Sequence, residues 1–178
     1  QAKFGELIKL LNKALELNPN DPEVHFNLGI ALQQQGDLTS AIDSYQKAVQ
    51  LKINFPDAHF RLGNAQQLKG SLNAAITAYK TAIQLKHDFP DAHNNLGAAF
   101  QERGNLNAAI ASYKTALRLK PDFLEAHVNC GNALKDKYCL IGAMAAYEEA
   151  LKLKPDSPEA HNGIGCVHKE KNELTRAI

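Results

Sequence analysis

Apolar and polar positions follow a helical rhythm along the chain, and the rhythm recurs. Leu38, Ala41, Ile42, Tyr45, Ala48 and Val49 stand at i, i+3, i+4 and i+7 offsets, the stripe that an amphipathic helix lays against a core. Matching stripes run from Leu72 to Ile83, Leu106 to Leu117 and Leu140 to Leu151, each 34 residues after the last. A second, more polar helical pattern precedes each stripe. No segment shows the strict alternation of a strand, so the pattern predicts an all-α chain of helix–turn–helix units.

Single-residue ladders keep the same step. His25, His59, His93, His127 and His161 form one, and Gly29, Gly63, Gly97, Gly131 and Gly165 another. Tyr45, Tyr79, Tyr113 and Tyr147 form a third, with Ala41, Ala75, Ala109 and Ala143 beside it, then Ala48, Ala82, Ala116 and Ala150. Such a period is the mark of stacked repeats, in which each unit borrows a wall of its core from its neighbours. Small Gly and Ala side chains leave room for close helix contact, and the tyrosines fill the space between units.

The chain reads as a single repeat domain over residues 1–178. Residues 22–55, 56–89, 90–123 and 124–157 are full units, 158–178 is a truncated one, and 1–21 supplies the second helix of a partial unit. First helices open at Pro22, Pro56, Pro90, Leu124 and Pro158, where proline's missing N–H costs nothing. Glu23, Asp57, Asp91, Glu125 and Glu159 follow at the positive end of the helix dipole. Gly36, Gly70 and Gly104 suit the left-handed residue that ends a helix, and Lys52, Lys86, Lys120 and Lys154 end the second helices. With Gln1 first, Met144 as the only methionine and Ile178 inside a second helix, the chain reads as a fragment whose stack ends are uncapped.

In the third unit His93, Leu96, Gly97, Phe100, Ala109, Tyr113, Ala116 and Pro121 fall in the order ring, Leu-Gly, ring, then Ala, ring, Ala, Pro. This resembles the tetratricopeptide repeat (TPR), a helix pair of 34 residues. The resemblance covers essentially the whole chain. It implies an α-solenoid of stacked antiparallel helix pairs, a right-handed superhelix whose first helices line the concave face. His stands where the family has Trp, Ile53 and His87 where it has Pro, Cys130 where it has Leu, and Tyr138 where it has the turn Gly. Ala109 to Phe123 also resembles the repeat arm of O-linked N-acetylglucosamine transferase and bacterial repeat arrays.

Composition narrows the class of partner. Twenty Lys and Arg against nineteen Asp and Glu give a net charge of +1, which supplies no drive toward nucleic acid or an anionic membrane. No apolar run approaches the ~20 residues of a membrane span. Three widely spaced cysteines exclude a disulfide framework and favour a reducing, cytoplasmic setting.

Most candidate chemistry resolves into packing. Equivalent histidines on stacked helices stand at least the ~8–10 Å interaxial distance apart, whereas zinc needs three or four ligands within bonding reach. The His ladder therefore reads as half-buried, hydrogen-bonded packing, and no metal or cofactor is expected. Gly163-Ile-Gly165-Cys-Val-His168 lacks the last glycine and preceding strand of a dinucleotide loop. No GxSxG or HExxH occurs, so no catalytic residue is assigned. Cys130 and Cys166 read as core thiols, and each terminal Lys as lying near the acid that opens the next unit.

One row remains. Amides recur on the first helices: Asn27, Asn95 and Asn129 with Arg61 in the same register, then Asn64 and Asn132, then Gln33, Gln67 and Gln101. Amides both donate and accept, so the row can pair with the backbone of an extended peptide whatever its sequence. The transferase arm resembled above also carries such an inner asparagine row. Asn94 joins it, and Phe26, Ile30, Phe60 and Leu68 offer apolar surface toward the N-terminal half. The lysines of a chaperone-tail clamp are replaced by Phe26, Phe60, Asn94 and Val128 at the first clamp position. The expected function is a protein-interaction scaffold binding a peptide segment in a concave amide-lined groove. Two alternatives stand beside it: the substrate-recruiting arm of a glycosyltransferase or other enzyme, and a solenoid that self-associates through its uncapped ends.

Overall fold

The computed structural model describes residues 2–176, and side chains from residue 4 to residue 172. Ile178 lies outside the described residues. Two compact units divide the chain, residues 1–88 and 89–178. The first holds α1 (Ala2–Leu17), α2 (Pro22–Gln35), α3 (Leu38–Leu51), α4 (Pro56–Leu68) and α5 (Leu72–Leu85). The second holds α6 (Pro90–Glu102), α7 (Leu106–Leu119), α8 (Leu124–Asp136), α9 (Leu140–Leu153) and α10 (Pro158–Arg176). No strand occurs among the described residues. Within each unit successive helices pack on one another as antiparallel pairs, the α-solenoid arrangement.

Local sequence sets the helix limits. The Asp21 carboxylate accepts from the N–H groups of Glu23 and Val24 at 3.0 and 3.1 Å, capping α2 just before Pro22. Asp37 caps α3 and Asn105 caps α7 in the same way. Gly36, at φ 94°, takes the left-handed conformation that reverses the chain, and Gly70 and Gly104 repeat it. In the fourth unit Tyr138 adopts φ 59°, so this turn keeps its shape despite a side chain that disfavours it. Cys139, next in line, makes no side-chain cap for α9.

Packing follows the ladders. The alanines at 41, 75, 109 and 143, and those at 48, 82, 116 and 150, are all 0% exposed. Each tyrosine ring lies against the glycine of its own helix pair: a Cβ built on Gly29, Gly63, Gly97 or Gly131 would stand 2.6 Å from the ring of Tyr45, Tyr79, Tyr113 or Tyr147. The fifth rung departs from this. Gly165 has no described atom within 4 Å of its Cβ position, the place of its matching tyrosine falling past Ile178, while Gly163 meets Tyr147 as Gly131 does.

Candidate functional site

The tyrosine rings cross the core and end at the first-helix face, where their hydroxyls meet the amide row. In the first unit Tyr45 donates to Gln33 Oε1 at 2.9 Å. The Tyr79 hydroxyl stands 2.8 Å from both Asn64 Oδ1 and Gln67 Oε1, and its one proton serves one of them at a time. In the second unit Tyr113 donates to Gln101 Oε1 at 3.0 Å and Tyr147 to Asn132 Oδ1 at 2.7 Å. Burial pushes the Tyr45 and Tyr147 phenols up to about 12, and lifts Tyr113 as well, so all three stay protonated donors at neutral pH.

Five residues expected in the groove thus have a second duty: Gln33, Gln67, Gln101, Asn64 and Asn132 satisfy buried phenols. Asn27 and Arg61 stand exposed on α2 and α4. Asn95 and Asn129 are half-buried. Asn94 departs from expectation. It is 1% exposed, donating to Glu125 Oε1 at 3.0 Å and Asn95 Oδ1 at 3.3 Å while accepting from Asn129 at 3.2 Å. A side chain covered in this way cannot meet a partner, because the α8 residues Glu125 and Asn129 close over the edge of α6 on which it sits.

The apolar residues are half-buried platforms rather than open pockets. Phe26 packs on Tyr45 and Phe55 with ring centroids 6.0 and 4.9 Å apart, and Phe60 on Tyr79 at 6.0 Å. Ile30 and Phe26 lie against the core of the first unit, and Val128 against that of the second. Leu68 is 65% exposed. Two carboxylates that the amide reading passed over join the second unit's row, Glu125 through Asn94 and Asp136 through Gln101, whose Nε2 donates to Asp136 Oδ2 at 2.9 Å. Their spacing along the chain was the available signal.

The histidines act on the turns between units. Nε2 of His25, His127 and His161 lies 2.8–2.9 Å from the carbonyl oxygens of Pro19, Pro121 and Pro155, six residues earlier. A carbonyl only accepts, so Nε2 carries the proton and ties helix to turn. His59 makes the equivalent bond to Ile53, and burial holds its pKa below the usual histidine value. Among the described residues no group of three or more His, Cys, Asp or Glu side chains could hold a metal ion. Cys130 is buried and its thiol pKa is raised by burial; Cys166 is half-buried. Lys52 pairs at 2.6 Å with Glu23, the acid opening its own unit and not the next, because the second helix runs back antiparallel to the start of the first. Among the described residues no helix is long and apolar enough to cross a membrane.

Stacked helix pairs joined by left-handed turns, with rings wedged against glycines and a polar first-helix face, define the interaction-repeat class. The chain belongs to the tetratricopeptide-repeat family: the profile described as TPR repeat matches residues 3–36, 31–70, 68–102, 101–137 and 140–172. No curated protein matches the sequence. Solved structures do. The crystal structure of MamA is similar over 86% of this chain and 90% of that one, at 29% identity and TM-score 0.84. YrrB, described as a TPR protein with an unusual peptide-binding site, is 22% identical over 91% of this chain and 84% of its own, at TM-score 0.78. A thermophilic TPR protein of Thermus thermophilus is 22% identical over 93% of this chain and 91% of its own, at TM-score 0.70.

Proposed function

We propose that this chain is a protein-interaction scaffold that binds an extended peptide segment along the concave, amide-lined face of its first helices, in a reducing, cytoplasmic setting. The observation carrying this reading is the phenol–amide pairing. Tyr45, Tyr113 and Tyr147 hold Gln33, Gln101 and Asn132 by their carbonyl oxygens, so these polar side chains are fixed before a partner arrives. Preorganised side chains lose less freedom on binding than freely solvated ones. With their oxygens engaged by the phenols, Gln33 and Asn132 have N–H groups as the donors to offer the carbonyls of an extended backbone. Asn27 and Arg61 add exposed polar groups on α2 and α4. YrrB offers a precedent of the same fold with a peptide-binding site.

The test replaces Asn27 and Asn95 together by alanine and measures affinity for a peptide selected from an unbiased array on the wild-type chain. Each lost neutral hydrogen bond contributes about 0.5–1.5 kcal/mol, so the double variant should bind about 1–3 kcal/mol more weakly. Asn132 is left in place because its removal would also strip Tyr147 of its acceptor. Unchanged affinity in a variant of unchanged helicity would remove the amide row as the site.

A further inference from the structure

Asn94 is 1% exposed in a register that the other full units fill with Phe26, Phe60 and Val128. Packing alone is served by an apolar side chain there, since a buried amide costs free energy unless its groups are paired. Those of Asn94 all are. Both N–H groups donate, to Asn95 Oδ1 and Glu125 Oε1, and the carbonyl oxygen accepts from Asn129. Glu125 and Asn129 both belong to α8, so a buried amide of α6 joins an exposed carboxylate to a half-buried residue of the amide row. A buried polar network that is fully paired fixes the arrangement of its members.

Proton counting gives that arrangement a direction. A carboxylate only accepts, so Glu125 obliges Asn94 to face it with Nδ2. Asn94 Oδ1 is thereby turned to Asn129, which answers with an N–H at 3.2 Å. The chain of bonds ends at Asn129 Oδ1, which receives no bond among the described residues and is left as an acceptor. Three residues further along α8, Asn132 is set the opposite way: its Oδ1 is engaged by Tyr147, and N–H groups are what it has to offer. Residues three apart on a helix are neighbours, about 5–6 Å between Cβ atoms. One stretch of α8 thus holds an acceptor beside a donor, the first set by a carboxylate through a buried amide and the second by a buried phenol.

Resting on the groove reading above, we infer that Asn129 and Asn132 take the N–H and the C=O of one residue of the partner's backbone, and that Asn94 and Glu125 are positioning residues that set Asn129 to accept. An extended residue turns its N–H and its C=O to the same side, as each residue of a hydrogen-bonded antiparallel pair does. The group recognised at α8 is therefore an unsubstituted peptide unit. Proline, which has no N–H, is excluded from that one position of the segment.

The experiment uses the whole 178-residue chain and the tightest-binding peptide of the array, with a series of analogues in which one backbone N–H at a time is replaced by an ester oxygen. Affinities are read by fluorescence anisotropy for the wild type and for Asn129→Ala, Glu125→Lys and Glu125→Gln, each of unchanged helicity. One ester should weaken wild-type binding roughly three- to tenfold, the loss of one neutral hydrogen bond. In Asn129→Ala the same ester should cost nothing further, since its acceptor is already gone. A lysine only donates, so in Glu125→Lys it draws Asn94 Oδ1 to itself and Asn129 Oδ1 inward to Asn94, and the ester penalty should vanish again. Glu125→Gln keeps an acceptor for Asn94 and should keep the penalty, a rescue that a merely structural role for Glu125 does not require. The inference is overturned if no ester has a penalty that vanishes in both Asn129→Ala and Glu125→Lys, or if that penalty is also lost in Glu125→Gln. The Asn27→Ala, Asn95→Ala variant keeps the two readings apart: where it loses affinity but no ester penalty depends on Asn129, the amide groove stands and this inference alone falls. Failure of the wild type to bind any array peptide would remove both.

Discussion

Gly97 and Gly165 occupy the same rung of one sequence ladder, yet alanine should act on them with opposite sign. At Gly97 a new Cβ would lie 2.6 Å from Cε1 and 2.7 Å from Cδ1 of Tyr113. Carbon atoms rest about 3.5–4.0 Å apart, so ring or helix must move by about 1 Å. The ring has nowhere to go. It is 1% exposed, flanked by Ala109 and Ala116 at 0%, and anchored through its hydroxyl to Gln101. Overpacking of this kind costs about 1–3 kcal/mol. Against it stands the better helix propensity of alanine, up to about 1 kcal/mol. The net for Gly97→Ala is a loss of about 1–2 kcal/mol. The tyrosine position matching Gly165 falls past Ile178 and no described atom lies within 4 Å of its Cβ position, so in this 178-residue chain only the propensity gain remains there. Urea unfolding of both variants, followed by far-UV circular dichroism, should place the Gly97→Ala midpoint below wild type and the Gly165→Ala midpoint at or above it. Equal shifts, or a stabilised Gly97→Ala, would refute the ring-against-glycine packing.

Three further outcomes follow from particular side chains. Gln66 is 9% exposed with its Oε1 buried and unpaired, at the rung where the other units have Leu32, Phe100 and Leu134, so Gln66→Leu should raise stability by about 1–3 kcal/mol in urea unfolding. Cys139 makes no cap for α9, and Cys139→Asp, copying Asp37 of the first unit, should add about 1 kcal/mol and raise the melting midpoint. His59 has its pKa held down by burial, so the unfolded chain binds the proton more readily than the folded one. Its contribution is therefore present above the unfolded value of about 6.5 and is lost as pH falls below it. The urea midpoint should drop between neutral pH and mild acid, and His59→Gln, which keeps a donor for the Ile53 carbonyl, should flatten that slope.

The helix limits were legible because caps and turns are local: Pro22, Gly36 and Lys52 act within a few residues of themselves. The buried ladders were legible because a strict period carries each contact to the next unit. What escaped depends on which helix faces which. Gly163 stands in the register of Asn129, yet its Cβ position lies against the same Tyr147 ring that Gly131 meets, a contact between successive repeats that the glycine ladder does not contain. Asn94 shares a first-helix face with Asn95 in sequence, but it sits at the edge where α8 closes over it. Lys52 turns back to Glu23, 29 residues earlier, a partner that only the reversal of the chain brings near.

The phenol–amide pairs also explain a variation within the sequence that periodicity leaves unaccounted for. Every buried tyrosine hydroxyl needs an acceptor, since an unpaired buried donor costs about 1–3 kcal/mol. Two positions on the first helix can supply it. In the first and third units one is apolar, Ile30 and Ala98, and the other, Gln33 or Gln101, accepts the bond. In the second unit both positions are amides, Asn64 and Gln67, and both lie within reach of Tyr79. In the fourth the glutamine is replaced by Lys135, which has no acceptor, and Asn132 takes over. One amide is thus committed to the core in each unit, whichever position holds it. The row at Asn27, Arg61, Asn95 and Asn129 holds an arginine in the second unit where the others hold asparagine. On the proposed reading the tyrosine-bound amides fix the surface, and discrimination between partners is left to that row.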